Sequence, residues 1–135
     1  MTIFLDTKVL AYQFDDSFPD KQACARQVLI EHATGAVIST QVLIELHAVL
    51  TRKLGRTRDE AARVLDAIML DVVATDADLV RAAAATAAAH ELSIFDAMII
   101  EAAVRAGCDE LWTEDLADGS VLRGVRIVNP FVDRV

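Results

Sequence analysis

The chain has 135 residues, 54% of them hydrophobic, with only five Gly and two Pro, a length and composition that give one domain (residues 1–135) with a buried core and exclude a disordered polymer. A net charge of −8, from 21 acidic and 13 basic residues, excludes a general nucleic-acid coat, which needs a basic face to neutralise phosphates. No apolar run approaches the length of a bilayer span, so no membrane association is expected.

Residues 2–5 form a short continuous apolar run, the pattern of a strand covered on both faces. No basic leader precedes it, which favours a cytoplasmic protein. A loop through Asp15, Asp16 and Pro19 leads to a helix from Asp20 to Thr34, which Gly35 closes at the C′ position. Ala36–Ile38 reads as a second strand. Ser39 and Thr40 then offer N-caps to a helix ending near Leu54 and Gly55, and another helix runs from Arg58 to Leu70. Val72–Ala74 is a short third strand, and Asp76 caps an alanine-rich helix to His90. Ser93 starts the next helix, which Gly107 ends; Glu110–Thr113 and Val125–Val128 read as the last two strands, before Asn129-Pro130. Strands alternating with helices over short connections mean an α/β domain with a mainly parallel sheet of about five strands. Cys24 and Cys108 lie far apart without a CxxC pair and read as reduced, mostly buried thiols.

Four acids fall where such a fold gathers ligands, beyond the carboxyl ends of strands and on inward helix faces. Asp6 ends the first strand and Asp115 follows the fourth. Each also suits a turn, although Glu114 and Asp118 make the second loop strongly anionic. Asp96 shares a helical stripe with Ile99, Ile100 and Ala103, while Glu101 and Arg105 form an i,i+4 pair on another face. Ser93-x-x-Asp96 also suits a capping box, and one residue can serve both roles. Glu45 borders the apolar stripe of Val42, Leu46, Val49 and Leu50, the position of either a boundary glutamate or a ligand. Carboxylates gathered at such places are costly unless cations offset them, and a cluster holding Mg²⁺ or Mn²⁺ is a phosphodiester-cleaving device.

The basic segment Arg52-Lys53-Leu54-Gly55-Arg56-Thr57-Arg58 is the one concentration of positive charge. Arg52 and Lys53 suit a helix C-terminus, whereas Arg56 and Arg58 lie beyond it. Arg52, Arg56 and Arg58 are candidate contacts for RNA phosphates or an acidic partner. His32, His47 and His90 share no spacing and read as structural or surface residues.

The motifs Phe4-Leu5-Asp6-Thr7, Ile38-Ser39-Thr40-Gln41-Val42 with Glu45, Ser93-Ile94-Phe95-Asp96-Ala97, Leu111-Trp112-Thr113-Glu114-Asp115-Leu116 and Val125–Phe131 occur in this order. Together they resemble a PIN domain, specifically the VapC-type ribonuclease toxins of bacterial toxin–antitoxin pairs. The resemblance implies a three-layer PIN-like domain and a metal-dependent endoribonuclease using Mg²⁺ or Mn²⁺. Asp6, Glu45, Asp96 and Asp115 would be its acidic quartet and metal ligands, with Thr113 as the hydroxyl that orients a water or a carboxylate. Water attack would leave 5′-phosphate and 3′-hydroxyl ends on single-stranded or looped RNA. A cognate antitoxin and a homodimer are the implied partners, suited to the apolar surface offered by Leu79–His90 and by Leu65, Ile68 and Met69.

Two positions depart from the family pattern. Lys8 stands where a small polar residue is usual and Asp118 where histidine is common. An ammonium beside Asp6 would compete with metal or reach a substrate phosphate, and in the first case the chain would bind RNA or a partner without cutting. Lys8 also removes the second Asp that a haloacid-dehalogenase-like phosphatase requires, and a receiver domain would need an acidic pair after the first strand.

Overall fold

The structure, a computed structural model, describes residues 1–132. Among these residues, six strands join in one sheet of order β3-β2-β1-β4-β6-β5. The strands are β1 (Ile3–Leu5), β2 (Ala36–Ser39), β3 (Asp71–Val73), β4 (Glu110–Trp112), β5 (Val121–Leu122) and β6 (Val125–Val128). Every pairing is parallel except the β5–β6 hairpin at one edge. The helices are α1 (Thr7–Ala11), α2 (Pro19–Glu31), α3 (Thr40–Arg52), α4 (Arg58–Ala67), α5 (Ala77–His90) and α6 (Ile94–Arg105), which flank the sheet as the outer layers of an α/β sandwich.

Burial follows position in the sheet. Ile3, Phe4 and Leu5 of central β1 are wholly buried, as the continuous apolar run requires of a strand covered on both faces. Edge strand β3 is largely exposed. Val42, Leu46 and Leu50 put one stripe of α3 into the core, while Ala97, Ile100 and Ala103 do the same for α6. Both cysteines are free thiols, Cys108 buried and Cys24 half-buried.

The element order agrees with the sequence, with four local differences. Residues 7–14, to which the sequence assigns no element, form α1 and a 3-10 turn at Tyr12–Phe14, too short for a 3.6-residue periodicity to register, and the loop through Asp15 and Asp16 follows. The sheet has six strands, not five, because Arg123 (φ 53°) and Gly124 (φ 78°) form a two-residue left-handed turn that folds β5 onto β6. Such hairpin turns are usually signalled by Asn-Gly or Asp-Gly, and Arg at the first position hides this one. Gly35 is not a left-handed helix terminator, since α2 ends at Glu31; a Cβ on Gly35 would lie 3.2 Å from the Met1 carbonyl oxygen. Gly55 and Gly107, by contrast, have the positive φ expected after α3 and α6.

Glu101 and Arg105 do not pair. Glu101 is 6% exposed and accepts from Thr86 Oγ1 at 2.8 Å, Arg123 Nε at 3.0 Å and Arg123 Nη2 at 3.3 Å. Arg105 turns to Asp76 at 2.9 Å instead. Glu101 faces inward, where the Arg123 fork from the hairpin reaches both of its oxygens. Leu65 and Ile68 pack against the core, whereas Met69 is exposed.

Candidate metal and nuclease site

The connection from β1 leads to β2 on one side, and β4 lies on the other, so β1 marks the switch point of the sheet. Crevices open at the carboxyl ends of strands at such points. Asp6 follows β1 there, and Thr113 and Asp115 follow the adjacent β4. The backbone N–H of Asp6 donates to the Trp112 carbonyl and that of Thr113 to the Val128 carbonyl, fixing these positions by the ladder itself.

Asp6 is the N-cap of α1, with extended backbone and only 8% exposure. Its Oδ1 accepts from the Thr7 backbone N–H at 2.7 Å, and its Oδ2 accepts from Thr113 Oγ1 at 2.7 Å. Thr113 Oγ1 also accepts from the Asp115 N–H at 3.1 Å, so one buried hydroxyl ties both loops together. Burial pushes the Asp6 carboxyl up to about 6, against the pull of the Thr113 and Thr7 hydrogen bonds, and the charges of Asp115 and Glu45 add to the rise. Among the described residues no cation pairs with Asp6.

Glu45 enters from α3. Its Oε2 accepts from Thr7 Oγ1 at 3.0 Å and its Oε1 from Gln41 Nε2 at 2.6 Å. The same Gln41 nitrogen donates to the Phe95 carbonyl at 3.1 Å, linking α3 to the first turn of α6, where Asp96 lies. Gln41 Oε1 is buried without a partner. Ser93 Oγ accepts from the Asp96 N–H at 3.1 Å, which gives half of a capping box; Asp96 itself is half-buried. Thr7 and Gln41 are functional neighbours that the sequence reading missed. The i,i+4 spacing of Gln41 and Glu45 was the available signal.

Lys8 engages the acidic loop. Its Nζ lies 2.7 Å from Asp115 Oδ1 and 3.7 Å from Glu114 Oε1, and the Asp115 hydrogen bond holds the ammonium above its usual range. Lys21 donates to Glu114 Oε2 at 2.9 Å, and Tyr12 donates its hydroxyl to the same carboxylate. Burial pushes Glu114 up, but these hydrogen bonds and both lysines outweigh it and hold the group low. Asp118 accepts from the Asn129 N–H at 2.8 Å, an arrangement that braces the loop.

The structure therefore brings Asp6, Glu45, Thr113 and Asp115 together. Among the described residues, the Asp96 side chain makes no contact with them; Gln41 reaches only the carbonyl of the preceding Phe95. Among the described residues, no group of three or more His, Cys, Asp or Glu side chains stands at metal-ligand spacing. The donor chemistry nevertheless suits a hard divalent ion, which prefers oxygen ligands, and the buried Asp6 carboxylate lacks a compensating charge. Arg52, Arg56 and Arg58 lie apart from this crevice, lining a groove of about 830 Å³ between α3 and α4. His47 lines that groove too, while His32 packs edge-on against Trp112 at 4.9 Å between ring centres.

A family model described as PIN domain matches residues 3–117. The chain belongs to the PIN domain family. Solved structures share the fold of this PIN domain at low identity. The VapC20 toxin of Mycobacterium tuberculosis, a sarcin-ricin loop cleaving toxin, is 23% identical over 84% of this chain and 92% of its own, with a TM-score of 0.69. A toxin–antitoxin complex from Klebsiella pneumoniae is 20% identical over 96% and 98%, with a TM-score of 0.73. DNA-bound VapBC from Salmonella typhimurium is 19% identical over 94% and 96%, with a TM-score of 0.70. No curated protein matches the chain significantly. Among the described residues of this PIN domain, no single helix is long and apolar enough to cross a membrane.

Proposed function

We propose that this PIN domain is a VapC-type toxin, a metal-dependent endoribonuclease of a toxin–antitoxin pair, working in the cytoplasm as a single domain over residues 1–135. The observation that carries the reading is Asp6: a buried carboxylate facing two others across a switch-point crevice, with only neutral hydrogen-bond donors for company. Such a group is destabilising in isolation and explicable as a seat for a cation.

Asp6, Glu45, Asp96 and Asp115 would hold Mg²⁺ or Mn²⁺. When bound, the ion lowers the pKa of a coordinated water and polarises phosphoryl oxygens. The protein's own part is positional. Thr113 fixes Asp6 and the Asp115 backbone with one hydroxyl, while Thr7 and Gln41 clamp both oxygens of Glu45. Those bonds set the carboxylates' orientation before substrate arrives, as electrostatic preorganisation requires. Attack by water on single-stranded or looped RNA leaves 5′-phosphate and 3′-hydroxyl ends.

The proposed partners are an antitoxin and a second copy of the chain. Ile44, Phe95 and Val80 are exposed apolar side chains on three different helices, and protein partners would cover such surface. The solved neighbours from Klebsiella and Salmonella are themselves toxin–antitoxin complexes.

One observation favours a second reading. The 2.7 Å contact between Lys8 and Asp115 supplies from within the chain a cation that a metal would otherwise supply. A protein so neutralised would bind RNA or a partner without cutting. Cleavage of end-labelled RNA with Mn²⁺, with EDTA, and by Asp6→Asn separates the two. The nuclease reading expects Mn²⁺-dependent products with 5′-phosphate ends, lost in the variant. Intact RNA at millimolar Mn²⁺, or cyclic-phosphate ends, would overturn it.

A further inference from the structure

We infer that the cleft between α1, α3 and Phe18 is a nucleoside subsite, holding one unstacked base of an RNA strand next to the phosphate at the acidic crevice; the inference rests on the ribonuclease reading above. The cleft encloses about 290 Å³, room for a single nucleoside. It continues the crevice along the seam of two helices. At the crevice, Thr7 of α1 donates to Glu45 of α3. Four residues onward in both helices, about 6 Å along their axes, Ala11 and Val49 line the cleft. Two further lining residues end on the acidic loop itself. Lys8 donates to Asp115 at 2.7 Å, and Tyr12 donates its hydroxyl to Glu114.

The walls suit a base and its phosphate. Ala11, Val49 and Leu54 supply apolar lining, and the rings of Tyr12 and Phe18 meet edge-on at 5.7 Å between centres. Phe18 keeps 48% of its surface exposed. Helix stability does not account for it: Phe18 is the N-cap of α2 and makes no side-chain cap bond, where Ser, Thr, Asp or Asn would stabilise the helix. An exposed ring held by a second ring is a stacking platform, and unstacked bases are recognised on such rings.

Lys53 lines the cleft one turn beyond Val49. It suits the C-terminus of α3 on its own account, yet among the described residues it has no ion pair, which leaves its ammonium free for an RNA phosphate. The one carboxylate in the lining, Asp15, already accepts from the Ser17 N–H at 3.0 Å. A phosphodiester at Asp6 and Glu45 carries a nucleoside on either side by its covalent structure. A cleft that opens one helical turn away therefore meets the neighbouring nucleoside first. An acidic peptide would satisfy Lys53 equally, and only a base would depend on the π face of Phe18.

The test reads where a base sits as well as how tightly. A single-stranded decanucleotide carrying 5-iodouridine is irradiated on the protein in EDTA and in Mn²⁺, and the adduct is sequenced by mass spectrometry. The crosslink should fall on Tyr12 or Phe18, within the tryptic peptide Val9–Lys21. In fluorescence anisotropy of the same RNA, Phe18→Leu, which keeps apolar bulk but no π face, should bind on the order of tenfold more weakly. Phe18→Trp should bind at least as well as the wild type. Lys53→Gln should reduce the salt slope by about 0.7, one single-strand phosphate contact. Ile30→Ala, which truncates an exposed apolar side chain toward the other end of α2, serves as control. Crosslinks confined to other peptides would overturn the inference, as would wild-type affinity in a Phe18→Leu protein that keeps its far-UV spectrum. So would an equal loss in Ile30→Ala, or displacement of the RNA by polyglutamate at equal charge concentration. RNA that crosslinks at Phe18 yet is never cut leaves the subsite standing and overturns the nuclease reading alone. Mn²⁺-dependent cleavage whose KM ignores Phe18→Leu keeps that reading and overturns the subsite.

Discussion

Replacing Asp6 by Asn should stabilise the protein at neutral pH. The Asp6 carboxyl moves from 3.8 to about 6 on folding, which at 1.36 kcal/mol per unit is a penalty of about 3 kcal/mol once the group is ionised in both states. Between about pH 4 and 6 the folded chain keeps a proton that the unfolded chain has lost. Stability therefore falls as pH rises across that window and levels off above it. Asn keeps the N-cap role at position 6, since its carbonyl accepts from the Thr7 N–H as well as a carboxylate does. Thr113 Oγ1 can reverse its role and accept from the new amide. Asp6→Asn should thus gain about 1–3 kcal/mol at pH 7.5 in EDTA and nothing near pH 4, as read from urea denaturation at several pH values. Excess Mn²⁺ should shrink the gap by stabilising the wild type alone. A variant less stable than wild type at pH 7.5, or a difference independent of pH, would refute the claim that Asp6 is a buried carboxylate without compensation.

Three further outcomes follow from the same geometry. Lys8→Asn should leave stability within about 0.5 kcal/mol, because the Lys8–Asp115 pair is half open to solvent, while tightening Mn²⁺ binding in calorimetry. Glu45→Gln should weaken Mn²⁺ binding more than Asp115→Asn does, again by calorimetry, since Lys8 already serves Asp115. Arg123→Ala should lower the urea midpoint near pH 7 by leaving buried Glu101 with Thr86 alone, the arginine's own exposure moderating the loss. The Glu101 carboxyl is held below 4.5 in the fold, burial notwithstanding, by Arg123 and Thr86. That stability is present above 4.5 and fades as pH falls through the folded value, so wild type and Arg123→Ala should converge in acid.

The fold was legible wherever one physical signal ran long enough. The apolar run before Asp6, the α3 and α6 stripes and the caps at Ser39, Asp76 and Ser93 all appear where the residues require them. Short pieces were not: α1 spans five residues and β5 two, below the length at which either periodicity can be told from chance. Glu101 failed for a different reason. An i,i+4 partner is visible in sequence, but an arginine on a hairpin 22 residues away is not. The same limit applies to the crevice. Asp6, Thr113 and Asp115 could be placed together because adjacent parallel strands end side by side. Half of the clamp on Glu45, Gln41, has an i,i+4 pattern on α3, but the other half, Thr7, reaches it from α1 by a tertiary contact with no local pattern.

Charge in the crevice is unevenly settled, and this bears on where an ion would go. On the β4 side, two ammonium groups, Lys8 and Lys21, neutralise Glu114 and Asp115. On the β1 side, Asp6 and Glu45 are held by a backbone N–H, two hydroxyls and an amide, all uncharged donors. Hydrogen bonds orient a carboxylate and lower its pKa, yet burial and the neighbouring charges still win at Asp6. The residual negative potential therefore centres on Asp6 and Glu45, the latter bonded to Gln41, whose amide also donates to the Phe95 carbonyl. On the nuclease reading, a divalent cation would meet the Asp6–Glu45 side first, because Lys8 already occupies Oδ1 of Asp115. On that reading, Lys8 would then limit how many of the proposed ligands an ion can use at once, and its replacement is what separates cutting from mere binding.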